Sequence, residues 1–428
     1  MNGTGKKSPA TAGWCLLALS ALLASAPCAA ADLDLFSAET LSLTGDFKLS
    51  ASDGETSWVN GGFGKLSTSG HGGTFRVAPE LGSINLVWQP RFTWSLSATV
   101  VGSLQGGART EAGLEQAFVS FKPMRGQSVR ISARAGLLWP AISLEHEGPD
   151  WHVADTITPS AINSWIGEEV RPLAAEFTAA TTAGEHQVSA TAGIFAANDT
   201  AGTLLTFRGW ALHDRTTLAF RRQPLPPLPE AMEYLQPRFT HPLLDVEPGF
   251  AHRPGYYLKL AWQPPVPVRI ELFHYDNRAD PEAVNDDMEW GWRTRFDHLG
   301  IAADFGGGTW LKFQALTGRT RMGYVEDNGI WIDNRFRAAF ALVSHSFTDG
   351  GIAARIDAFD SRQHGSLVAN ESNEQGWAAT LAGHRDFGPM TAFVEVLHIS
   401  SKRDLRAVAG LDPRQRQTRL QAQLRAHW

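Results

Sequence analysis

Side chains in this chain alternate between apolar and polar with a period of two, in one stretch after another. From Val129 to Leu137, the residues Val129, Ile131, Ala133, Ala135 and Leu137 form one face, and Arg130, Ser132 and Arg134 form the other. That period is the signature of a β-strand with one oily and one wet surface. It recurs as Leu96, Ala98 and Val100 against Ser95, Ser97 and Thr99, and as Phe336, Ala338, Phe340 and Leu342 against Arg335 and Arg337. Ile352, Ala354, Ile356 and Ala358 oppose Arg355 and Asp357. The final stretch is the clearest: Leu420, Ala422, Leu424, Ala426 and Trp428 alternate with Arg419, Gln421, Gln423, Arg425 and His427. Arginine-bearing faces spread over most of a chain do not suit the dry core of a sandwich. They suit a barrel with a wet lumen.

Turn chemistry supplies a strand count. Short breaker clusters stand at Gln89-Pro90-Arg91, Arg125-Gly126-Gln127, Ala183-Gly184-Glu185, Pro264-Pro265, Gly306-Gly307-Gly308, Asp349-Gly350-Gly351 and Phe387-Gly388-Pro389, each between strand-like stretches. Paired strands around these hairpins, plus one strand near Leu41 to Ser50 and the last one, predict an all-β fold. It is a single antiparallel transmembrane β-barrel of about 16 strands, with a range of 16–18 because Leu204 to Leu212 could add one. The remaining connections are long: 51–81, 139–171, 197–254, 278–289, 320–331, 361–374 and 401–415. Short turns at one end and long loops at the other match periplasmic and extracellular sides. The 224–254 stretch, with Pro224, Pro226, Pro227 and Pro229, reads as an extracellular loop or lid.

Residues 1–31 read as a cleaved signal peptide: Lys6 and Lys7 precede an apolar run from Cys15 to Ala26, and Ala29-Ala30-Ala31 precede Asp32. Lipid attachment at Cys28 is disfavoured by Pro27 beside it and by the lack of an aliphatic residue three places earlier. Both cysteines lie in that segment, so the barrel region 32–428 has no disulfide and must draw its stability from a large core or a bilayer. No later stretch approaches eighteen apolar residues, as a membrane helix needs. Removing Lys6 and Lys7 leaves the chain more acidic than its formal −6, and without a basic stripe it is no nucleic-acid binder. The 15 Trp and 23 Phe suit membrane interfaces, although carbohydrate-binding proteins are also Trp-rich.

The wet faces nominate pore-lining residues: Arg130, Arg134, Arg269, Arg293, Arg295, Arg335, Arg337, Arg355, Arg419 and Arg425. Such a wall attracts anions, unless the arginines are neutralised by Glu271, Asp297, Asp357 and Glu395. The 139–171 stretch follows a strand, is too long for a turn and carries Glu145, Glu147, Asp150, Asp155, Glu168, Glu169 and Arg171. Folded inward it would narrow the pore with charges of both signs; folded outward it would be an external acidic loop. Trp428, an aromatic closing the last strand, has the character of the signal read by the barrel-insertion machinery.

A resemblance enters on these residues. Ala133-Arg134-Ala135-Gly136-Leu137-Leu138-Trp139-Pro140 running into Ser143-Leu144-Glu145, with Pro159-Ser160-Ala161 and Gly167-Glu168-Glu169-Val170-Arg171 downstream, resembles the inward-folded loop region of the phosphate-selective porin O and P family. The whole chain, with Ser57-Trp58 and Gly61-Gly62-Phe63-Gly64-Lys65, also resembles porin-like outer-membrane proteins of alphaproteobacteria. The resemblance implies sixteen strands, a homotrimer, and a lysine-rich, arginine-clamped phosphate path. The chain departs from it, because after the signal only Lys48, Lys65, Lys122, Lys259, Lys312 and Lys402 remain, and they are scattered.

Enzyme signatures are missing. There is no Gly-x-Ser-x-Gly elbow, no His-Glu-x-x-His pair and no phosphate-binding Gly-Lys-Ser/Thr loop. His146 and His152 stand in a loop without a helix to align them as metal ligands, and Asp286, Asp287 and Glu289 read as an exposed acidic loop. The expectation is therefore no enzyme, no cofactor and no metal. It is a Gram-negative outer-membrane porin for passive diffusion of small hydrophilic solutes, with outer-membrane lipid and the insertion machinery as partners. A non-conducting barrel serving as receptor or scaffold through its loops is the alternative, and a soluble carbohydrate-binding β-protein comes third.

Overall fold

The computed structural model describes residues 35–68, 74–107, 110–122, 128–247 and 253–428. The expected signal segment 1–31 and the turn at Arg125-Gly126-Gln127 lie outside the described residues. Sixteen antiparallel strands close into one barrel.

The first wall is built from β1 (Leu41–Ser52), β2 (Arg76–Trp88), β3 (Leu96–Gln105), β4 (Glu111–Phe121) and β5 (Val129–Leu137). After a long loop come β6 (Leu173–Ala183) and β7 (His186–Ala196), and after a longer one β8 (Gly255–Gln263) and β9 (Val268–Asp276). The second wall is taller: β10 (Arg293–Asp304), β11 (Thr309–Glu326), β12 (Gly329–Phe347), β13 (Gly350–Gln363), β14 (Glu374–Phe387), β15 (Met390–Arg403) and β16 (Arg414–His427). β16 pairs back onto β1 from Thr44↔His427 to Ser52↔Arg419, which closes the barrel and satisfies every edge. Trp428 extends that pairing by donating to the Leu43 carbonyl at 2.9 Å and accepting from the Leu43 amide at 3.1 Å.

Turn chemistry explains where the strands stop. Gly306, Gly307 and Gly308 all have φ between 61° and 83°, so three successive residues adopt the left-handed conformation that only glycine takes without strain. The chain reverses there between β10 and β11. At this end of the barrel Phe305, Phe347 and Phe387 are 68%, 55% and 51% exposed on neighbouring turns, as an interfacial aromatic girdle requires.

Two connections differ from expectation. The stretch 320–331 is no long loop: β11 and β12 continue through it and meet at a two-residue turn, Asp327-Asn328, because Val325 pairs with Ile330 and Glu326 with Gly329. Leu204 to Leu212 adds no strand; Thr203–Phe207 forms a short helix, α2, after α1 (Ala161–Glu169).

The core is inside the barrel. Trp139, Ile162, Trp165, Ile166, Trp210 and Leu212, all from loops, pack with wall residues Phe195, Tyr275, Phe296, Phe336 and Phe359. The outer wall carries exposed Leu258, Leu260, Ile352, Ile356, Leu381, Val394 and Leu420, a surface built for lipid.

Candidate functional site

The 139–171 loop folds into the lumen, and its helix decides why. α1 starts at Ser160, whose hydroxyl accepts the Asn163 amide at 3.2 Å, and all nine helical residues are buried. Trp165 on this helix meets Phe296, Phe336 and Trp210 edge-on with centroids 5.4, 5.4 and 6.2 Å away. A second inward segment follows from the 197–254 connection. Expected as a long extracellular loop, it instead sends residues 200–218 down beside α1, where the Ser164 hydroxyl donates to the His213 carbonyl at 3.0 Å. In its proline-rich stretch, Leu225, Leu228 and Met232 pack on Leu204, Phe207, Trp290 and Trp292.

Arg355 is the hub that ties loop to wall. Fully buried on β13, it donates to Asp357 and Glu145, each at 2.9 Å, and to the carbonyls of Thr158 and Pro159 at 2.7 and 3.0 Å. The same carboxylates receive the start of α1: Asp357 accepts the Ala161 amide at 3.0 Å, and Glu145 accepts the Ser160 amide at 3.0 Å and the Asn163 side-chain amide at 2.5 Å. One arginine thus satisfies two buried carboxylates and two loop carbonyls, as a buried charge must be. Glu395 on β15 accepts the Ile157 and Thr158 amides at 2.7 and 3.0 Å. Arg419 and Gln421 on β16 both donate to the Thr158 hydroxyl.

Most of the other loop charges find partners too. Asp155 pairs with Lys312 at 2.7 Å, and Asp150 with His152 at 2.9 Å. Glu147 is exposed on the two-residue ladder that joins His146–Glu147 to His152–Val153. Glu168 pairs with Arg208 at 2.6 Å; burial alone would raise its carboxyl, but Arg208 and His213 outweigh it and hold it below the ordinary range. Glu169 accepts the Trp165 indole at 2.6 Å and the Gly202 and Leu204 amides at 3.0 and 2.9 Å, yet burial outweighs these bonds and the nearby Arg208 and pushes it up to about 7. Arg171 donates to the Thr217 carbonyl and lies over the Trp139 ring. His146 stacks on Trp151 and bonds the Ser143 hydroxyl.

Of the ten wall arginines expected in the lumen, six face it. Arg134 pairs with Glu176, Arg269 with Glu271 and Arg425 with Asp46; Arg355 and Arg419 hold the loop; Arg130 opens onto a vestibule with Gln187, Ser189 and Arg269. The other four do not, and this is a correction. On β10 the buried, inward residues are Thr294, Phe296 and His298, which puts Arg293 and Arg295 on the outer face with Leu299 and Ile301. On β12 the inward residues are Phe336, Ala338, Phe340 and Leu342, which puts Arg335 and Arg337 outside. Period-two reading assigned the phase by assuming that apolar means lipid-facing. Here the lumen is itself apolar, because Trp165 fills it.

Sequence reasoning missed a second ion cluster. Glu374 on β14 pairs with Arg403 at 3.1 Å and with Lys65, whose amine burial lowers to about 8, and it also accepts the Trp210 amide at 3.1 Å. Glu374 and Arg403 do fall on the inward parity of their strands, in phase with Thr380 and Glu395. Lys65, Arg208 and Trp210 come from loops with no periodicity to flag them.

What the plug leaves open is a polar cleft along the first wall. Asp46, Lys48, Glu80, Asn85 and Glu115 line it from the strands, and Asp150, His152, Asp214 and Arg215 from the inner loops, around a narrow space of about 70 Å³ partly open to solvent.

This architecture has solved counterparts. The anion-selective porin from Comamonas acidovorans aligns with 91% of this chain and 99% of its own at 11% identity and a TM-score of 0.54. The outer membrane channel DcaP of Acinetobacter baumannii aligns over 92% and 99% at 10% identity and 0.52. A loop-deletion mutant of OmpT, an outer membrane protein of Vibrio cholerae, aligns over 91% and 99% at 8% identity and 0.50. The fold is that of the bacterial outer-membrane porins. No family model and no curated protein matches the sequence, so the porin-like barrel stands on the fold, and the likeness to the phosphate-selective group on the quoted residues alone.

Proposed function

We propose that this porin-like barrel is an outer-membrane channel for small hydrophilic solutes, whose path runs through the cleft between the first wall and the inner loops rather than through the barrel axis. The observation that carries this reading is the cleft's lining, polar on both sides, beside an axis filled by Trp165, Trp210 and their neighbours. An arginine wall suggested anions, but of the arginines it counted four face outward and all but Arg130 of the rest are held by carboxylates or loop groups within the lumen. In the cleft Asp46, Glu80, Glu115, Asp150 and Asp214 outnumber Lys48, Arg215 and Arg425, which favours a weak preference for cations. Trp428, exposed on the outer face at the β1–β16 seam, fits a place in the signal read during insertion. A non-conducting receptor or scaffold is the second reading, favoured by the dense ion pairing around Arg355 and Glu374.

Planar-bilayer recording of the refolded chain separates them. Small, mildly cation-selective channels are expected, and Glu80→Gln/Asp150→Asn should move the reversal potential towards anions. A chain that inserts but carries no current refutes the channel, and an unchanged reversal potential refutes the cleft as its path.

A further inference from the structure

Three of the four corrected arginines, Arg295, Arg335 and Arg337, belong to an exterior feature. Ladder registry sets Arg295 opposite Arg319, Arg319 opposite Arg335, and Arg335 opposite Arg362, so four arginines stand side by side across β10 to β13. Each is in phase with lipid-facing residues of its strand. Like charges directly opposite one another destabilise a sheet. Neutralisation is partial: Asp333 pairs with Arg319, Asp360 is shared by Arg337 and Arg362, Arg335 turns to His364, and among the described residues no ion pair reaches Arg295. Below the row lies a groove with a small-residue floor of Ala315, Ala339, Ala358 and Gly376, walled by Trp377 and rimmed by Arg337, Lys402, Arg414 and Arg416.

Height places the band. Ten residues separate exposed Phe347, at the short-turn girdle, from Arg337. At about 3.4 Å per residue and a tilt of about 40°, that is roughly 26 Å along the membrane normal, the height of an apolar belt. The cations therefore begin where the hydrocarbon ends, on the side of the long loops.

We propose that this band docks the phosphate groups of a phosphorylated, multiply acylated glycolipid of the outer leaflet, with an acyl chain lying in the groove beneath. Guanidinium groups in a row match phosphate oxygens through charge-assisted, bidentate hydrogen bonds. A second copy docked through this same face would set like charges against one another, which disfavours that occupant. The inference stands whether or not the lumen conducts.

The test is native mass spectrometry of the refolded full chain in detergent, titrated with diphosphoryl hexa-acyl lipid A and, separately, phosphatidylethanolamine. Lipid A is expected to bind at least about tenfold more tightly, and Arg335→Gln/Arg362→Gln to weaken it about tenfold. The lysine double variant should recover part of the loss. Arg385→Gln, an exposed arginine at the short-turn end of β14, should change nothing. Raising salt should weaken lipid A binding alone. Equal affinity for both lipids, or undiminished binding by the Gln variant with heat-modifiable barrel mobility intact, overturns the proposal.

Discussion

Replacing Arg355 by methionine should release the inner loop while leaving the barrel closed. The side chains of Arg355, Glu145 and Asp357 are 0%, 0% and 1% exposed, so removing the cation strands two carboxylates that water cannot reach. Breaking a buried pair by deleting one partner costs about 3–5 kcal/mol. Here the cost falls on docking, because the carbonyls of Thr158 and Pro159 lose their donor together with Glu145, which anchors the Ser160 amide. The β13 ladder is untouched, since Arg355 pairs with Leu342 and Thr380 through the backbone. At about 1.36 kcal/mol per decade, the undocked population rises by roughly 10²- to 10³-fold or more. Single-channel recording should show larger or more frequent openings than in the parent. Hydrogen exchange should show faster exchange over 156–169 and unchanged rates in β12 to β14. Parental conductance together with parental protection over 156–169 would refute the account of Arg355 as the loop's anchor.

The pH dependence follows from Glu169, raised by burial to about 7 against an ordinary 4.5. The docked state binds the proton more tightly than the free one, so docking is strongest below about 4.5 and weakens as pH rises through 7, by at most roughly 3 kcal/mol. Exchange at the Gly202 and Leu204 amides, corrected for intrinsic rates, should therefore accelerate between pH 5 and 8, and Glu169→Gln should flatten the trend. Trp165→Ala removes the ring between Phe296, Phe336 and Trp210 and should cost about 3–5 kcal/mol of loop docking, read as protease sensitivity near 155–170 with the barrel's heat-modifiable mobility retained.

Hairpin turns and period-two faces were legible in sequence because both are local: a glycine with positive φ or a proline cluster ends a strand wherever it stands, and alternation needs only ten residues to declare itself. The same local signals placed Arg134, Arg355, Arg419 and Arg425 on the lumen side. They also set 139–171 apart as a long loop but left open whether it folds inward or outward; α1 is buried against inward-facing wall residues.

Alternation alone determined that this chain has strands with two unlike faces and enough of them to close a barrel. It could not determine which face of β10 and β12 is inside, because a two-fold pattern is unchanged when its faces are exchanged. That choice belongs to the tertiary structure. Trp165 and Trp210 arrive from distant loops to make the lumen apolar beside Phe296 and Phe336, and the arginines of those strands are left on the barrel's outer face.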